Sequence, residues 1–144
     1  MSGKFVVGYD DSPTARRALD FAIERAAAQG GSLVVAYVME WSPYSFLTPQ
    51  ELEERHKRRT EELERAEKAI MGPIRDHLTA SGVPFETVIR YGHIAEKLCD
   101  IARDHDATQM VVGRDGNSAI VARVFGSVAG SLVQIAPVPC TIVP

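Results

Sequence analysis

Five short apolar runs alternating with four stretches of helical periodicity predict an α/β fold, a doubly wound five-stranded parallel sheet with helices on both faces. Three observations carry this expectation. Each run (KFVVGY, SLVVAYVM, FETVIRY, QMVVG, VPCTIV) has strand length, and all but the alternating FETVIRY carry little or no charge, as strands covered on both faces do. Each intervening stretch is long enough for a crossover helix. Glycine, proline or a capping residue marks the junctions.

The elements follow in order. Lys4 to Tyr9 reads as the first buried strand. Ser12 then suits an N-cap and Pro13 a first helical position. The helix should run to about Gln29, with Ala15, Ala18, Leu19, Ala22, Ile23 and Ala26 on one face, and Gly30-Gly31 should stop it. Ser32 to Met39 is the second strand. The loop from Glu40 to Thr48, with Trp41, Tyr44 and Phe46, reads as partly buried anchors or a cover for a site. Pro49 to about Ser81 predicts one long charged helix, kinked at Gly72-Pro73. Leu52, Leu63, Ala66, Ile70, Ile74 and Leu78 form its apolar stripe, which Arg59 interrupts. Its charges alternate in sign, as on a solvated face with i,i+4 pairs.

Phe85 to Tyr91 alternates like a half-buried or edge strand. Gly92-His93 leads into a third helix with Ile94, Leu98, Ile101 and Ala102 inward. Met110-Val111-Val112 is the fourth strand, ending in Gly113. A fourth helix bears Val128, Leu132, Ile135 and Ala136, and Pro137 ends it. Val138 to Val143 is the last strand. No internal duplication or linker interrupts the chain, so residues 1–144 read as one domain.

The bulk properties narrow the function. A chain of 144 residues with 45% hydrophobic and 24% charged residues is an ordinary globular composition. The net charge of −3 argues against a general nucleic-acid or anionic-membrane binder, so any anion site must be local. Cys99 and Cys140 are too few and too far apart for a disulfide framework or a CxxC metal site. No signal segment and no apolar run of about 18 residues is present, which places the protein in the cytoplasm by default.

The glycine-punctuated stretch after the fourth strand is the candidate site. Gly113 and Gly116 follow the strand, and Gly126-Ser127 opens the next helix. Glycines there let the backbone turn and let a ligand approach closely. A helix start with bare N–H groups favours an anion. The stretch therefore reads as a phosphate cradle. In an open parallel sheet, ligands bind beyond the carboxyl ends of the strands, where strand order reverses. Asp10, Val38 and Gly113, at three strand ends, should lie on that side with the Gly126-Ser127 helix start. The plainer reading makes Asp10 a turn residue, Gly116 and Gly126 turn glycines and Ser127 a cap.

These residues carry a resemblance. The chain resembles the universal stress protein family over essentially its full length. Its ATP-binding members carry Gly, two residues, Gly, nine residues, Gly, then Ser or Thr, and Gly113, Gly116, Gly126 and Ser127 meet every spacing. The opening VVGYDDSPTARRALDFAIERA, the segment YGHIAEKLCDIARDHDATQMVVG and the ending VFGSVAGSLVQIAPVPCTIV are similar to the corresponding family segments.

The resemblance implies a Rossmann-like, adenine nucleotide alpha hydrolase-like sheet of order 3-2-1-4-5. It implies ATP, or AMP, ADP or cyclic AMP, over the carboxyl edge, with Mg or Mn accompanying the nucleotide. Asp10 would face ribose and adenine, with Gly8 and Tyr9 beside it and backbone groups of Val38 on the base. Gly113, Gly116, Gly126, Ser127 and Val128 would hold ribose and phosphates. It also implies a homodimer, often through the last strand. Val138 to Val143 would otherwise be an uncharged apolar edge, which pairing with a second copy would cover.

Two positions depart from the family pattern. Arg114-Asp115 stands between the first two glycines, where a small or basic residue is common. Asp11 follows the first aspartate, where glycine is frequent. A carboxylate ~5 Å from a phosphate costs about 3 kcal/mol at an effective dielectric near 20. Asp115 therefore points outward, or helps hold a divalent ion, or the ligand carries fewer phosphates.

Signals of catalysis are sparse. The four histidines are scattered, and no HExxH pair or GxxxxGK[ST] loop occurs. A nucleotide-dependent dimeric stress-response or signalling protein is the expected function. A nucleotide-independent dimeric adaptor and a slow ATPase or autophosphorylating enzyme are the alternatives.

Overall fold

The computed structural model describes residues 3–40, 48–115 and 127–144. The aromatic loop around Trp41, and Gly116 and Gly126, lie outside the described residues. Five strands form one parallel sheet in the order β3-β2-β1-β4-β5. They are β1 (Lys4–Gly8), β2 (Ser32–Glu40), β3 (Phe85–Gly92), β4 (Gln109–Gly113) and β5 (Cys140–Val143). Between them run α1 (Pro13–Gln29), α2 (Pro49–Ala66), α3 (Gly72–Ser81), α4 (Ile94–Asp104) and α5 (Ser127–Ile135). Strand order reverses between β1 and β4, where Val7 pairs with Val111.

Alternate strand residues supply two cores. Phe5, Val7, Leu33, Val35 and Val111 pack with Ala18, Leu19 and Ala22 of α1 and with Ile74 and Leu78 of α3. Val6, Val34, Ala36, Met110 and Val112 pack on the other face with Leu98 and Ile101 of α4 and Leu132 of α5. A period of two divides each strand between the faces, which is why β1, β2 and β4 are apolar almost throughout, while β3, at the edge of the sheet, alternates.

Local chemistry sets the helix ends. The Ser12 hydroxyl accepts the Ala15 N–H at 3.1 Å and caps α1, with Pro13 in its first turn. Gly30, at φ 67°, closes that helix in the left-handed conformation.

The long helix differs from its expected form. It breaks before Gly72-Pro73, in one turn of π-helix over Glu67–Met71 that separates α2 from α3. Pro73 has no N–H to give, and its ring crowds the carbonyl four residues back, at Ala69. A widened turn relieves this, and the Gly72 N–H reaches the Glu67 carbonyl, one residue beyond the α-helical partner. Leu52, expected on the apolar stripe, is 53% exposed. The last strand is shorter than expected and begins at Cys140, because Pro139 can only accept, taking the Met110 N–H on its carbonyl.

Candidate functional site

The carboxyl ends of β1, β2 and β4 open onto a cavity of about 820 Å³. Gly8, Tyr9, Asp10, Val38, Gly113 and Val128 all line it. Ser127 is the first residue of α5, next to Val128. The cavity thus lies over the β1–β4 switch point, where the topology of an open parallel sheet leaves room between crossovers.

One wall is built around the turn after β1. The Asp10 carboxylate accepts both the N–H of Ser12, at 3.1 Å, and its hydroxyl, at 2.5 Å. The Thr14 hydroxyl donates to the backbone carbonyl of Asp115 at 2.6 Å and lies 3.4 Å from the Ser12 hydroxyl. A chain of short polar contacts therefore ties the end of β1 to the segment leaving β4. Asp11 sits at φ 65°, a left-handed conformation that glycine adopts freely and aspartate tolerates.

Gly113 has a packing reason as well as a ligand reason. A Cβ there would stand 2.9 Å from the backbone carbonyl carbon of Thr14, so the glycine lets α1 seat against β4. Gly8 is similarly confined, with Leu98 and Val112 side chains 3.1 Å from where its Cβ would lie.

The opposite wall consists of side chains that converge from distant elements. Tyr91, on β3, donates its hydroxyl to Glu62 of α2. The Arg59 guanidinium stands 5.2 Å from the centre of the Tyr91 ring, which explains why an arginine interrupts the stripe of that helix. Tyr37, Glu40 and His93 complete this end. Burial raises the Tyr37 pKa above its ordinary 10.0, and the carboxylates of Asp10, Asp11 and Glu62 raise it further. Tyr9 shifts the same way, through burial first and then the charge of Asp11. Glu62, Tyr91 and Tyr37 carry no linear motif. Thr14, too, carries no sequence signal beyond its place after Ser12 and Pro13.

Among the described residues, no group of three or more His, Cys, Asp and Glu side chains is placed to hold a metal ion. No described helix is long and apolar enough to cross a membrane. Cys99 is buried and Cys140 half-buried, both without a disulfide.

The family model described as the universal stress protein family matches residues 1–144. The chain belongs to that family. A universal stress protein of Thermus aquaticus is 33% identical over 139 residues, covering 96% of each chain. Universal stress protein UspA from Lactobacillus plantarum superposes with a TM-score of 0.83 at 24% identity, over 99% of this chain and 97% of that one, and is similar in fold. A universal stress protein solved in complex with cyclic AMP gives a TM-score of 0.70 at 25% identity, over 99% and 97% of the two chains. The strand order of this universal stress protein is the one its sequence resemblance implied.

Proposed function

We propose that this universal stress protein binds an adenine nucleotide, ATP or one of its mono-, di- or cyclic phosphate relatives, in the cavity over the β1–β4 switch point. The observation that carries the reading is the meeting of Gly8, Tyr9, Asp10, Val38, Gly113 and Val128 around one opening at the carboxyl edge of the sheet. A relative of 25% identity in complex with cyclic AMP supports the ligand class.

In this reading the base lies along β2 near Val38, with Asp10 toward the ribose. Main-chain amides after Gly113 and at the start of α5 hold the phosphates, together with Gly116 and Gly126. Any Mg or Mn arrives on the phosphates. Binding is the activity, with ATP hydrolysis slow at most, and the chain acts as one domain. Three or four charge-assisted hydrogen bonds, at about 1.5–3 kcal/mol each, together with burial of the adenine, offset an association cost of ~4–15 kcal/mol, so micromolar affinity is expected.

The protein works as a homodimer through β5, whose other edge no described strand pairs. Val133, 70% exposed on the neighbouring α5, adds apolar surface.

Calorimetry with ATP, ADP, AMP and cyclic AMP tests the reading, alongside Gly126→Val. Side-chain bulk at Gly126 should abolish binding and leave the circular dichroism unchanged. Silence toward all four nucleotides in the wild type would favour the nucleotide-independent adaptor.

A further inference from the structure

The charge of the cavity wall bears on which nucleotide fits, given the nucleotide reading above. Among its described lining residues, five carboxylates, those of Asp10, Glu40, Glu62, Glu96 and Asp115, stand against one guanidinium, Arg114, with that of Arg59 set against the Tyr91 ring in the wall. The carboxylates are spread around the opening. Asp10 and Asp115 flank the β1–β4 side, Glu62 reaches the β3 end through Tyr91, and Glu96 lies in the first turn of α4. The fields of several overlap, since Asp10, Asp11 and Glu62 all act on the phenol of Tyr37.

A single phosphate can be held by main-chain N–H groups at a helix start. Each further phosphate adds negative charge to a space that is already negative. Repulsion of this kind discriminates between ligands that share every attractive contact.

We propose that this cavity selects among adenine nucleotides by charge, taking the singly charged cyclic phosphodiester in preference to ATP when no divalent ion is present, with the lining carboxylates as the discriminating groups. A divalent ion neutralises much of the triphosphate and narrows the preference. At separations of ~10 Å, an effective dielectric near 20 and physiological screening, the extra charges of ATP should weaken it about tenfold for each uncompensated lining carboxylate, and so by about tenfold or more relative to cyclic AMP.

The test is a calorimetric titration of the wild-type protein with cyclic AMP, AMP and ATP in the presence of a chelator, then with excess Mg²⁺. The same series is run on the double variant Glu40→Gln with Glu96→Gln. Both glutamates are exposed, so the fold should persist. Cyclic AMP should bind about tenfold tighter than metal-free ATP, or more. That gap should shrink with Mg²⁺, at high salt and in the double variant. Metal-free ATP binding as tightly as cyclic AMP would overturn the inference. So would a double variant that keeps cyclic AMP binding and the wild-type ratio. Silence toward all three ligands is a different result, and it overturns the nucleotide reading along with this one.

Discussion

The two walls of the cavity are built by different means. The β1–β4 wall is main chain and short polar side chains: a capped turn, a hydroxyl on a carbonyl, and a glycine pressed against a helix. The β2–β3 wall is long side chains, Tyr37, Tyr91, Glu62 and Arg59, brought from elements far apart in sequence. The first wall has little freedom to adjust. The second can repack, because exposed ion pairs and ring contacts are individually weak. Damage to the first should therefore cost stability, and damage to the second should mainly change what the cavity accepts.

The largest effect expected is at Gly113. Gly113→Ala puts a Cβ 2.9 Å from main chain that cannot give, so we expect a loss of about 2–3 kcal/mol in urea denaturation. A loss below ~0.5 kcal/mol would break the contrast between the walls, since an ordinary surface substitution costs no more.

Thr14→Val should come next. It keeps the shape of the side chain, removes the 2.6 Å hydrogen bond to the Asp115 carbonyl, and should cost about 1–2 kcal/mol by the same measurement.

Tyr91→Phe, on the other wall, should cost less, about 1 kcal/mol or below, because the hydroxyl and its Glu62 partner are only partly buried. If it cost more than Thr14→Val, the second wall would be the rigid one.

The smallest effect is a pH dependence at Tyr37. Its folded pKa lies above the ordinary 10.0, so the neutral phenol is favoured by folding. The stability this gives is complete below pH 10 and is lost as pH rises through the folded value. Ultraviolet titration of tyrosinate should show a late-titrating group that Tyr37→Phe removes. Glu62→Gln should move it partway toward its ordinary value.

What the sequence disclosed divides along the same line. The strands, the first helix with its Ser12 cap and Gly30 stop, and the end of β4 at Gly113 are legible because each depends on residues within a few positions, whereas β1 ends at Gly8, two residues before Asp10, and β2 runs past Val38 to Glu40. The strand order followed only from the family resemblance. Glu62 reads as a member of a solvated charged face and Arg59 as an interruption of the apolar stripe, since nothing local tells which charges of α2 will meet β3. The contact with Tyr91 spans 29 residues and exists only after the sheet is assembled. The sequence predicts a kink at Gly72-Pro73, but not the π-turn over Glu67–Met71, because the steric effect of the proline falls on the turn before it. Gly113 was read for its ligand, and its packing against Thr14 became evident only with α1 in place.

The most direct test of the central claim is to follow backbone amide resonances as cyclic AMP is added to the full chain. A nucleotide seated over the switch point should shift Gly8, Tyr9, Asp10, Val38, Gly113 and Val128 together, with saturation at micromolar to submillimolar ligand, as a few charge-assisted bonds allow. Saturating shifts confined to residues away from these strand ends, or no shifts at all, would contradict it.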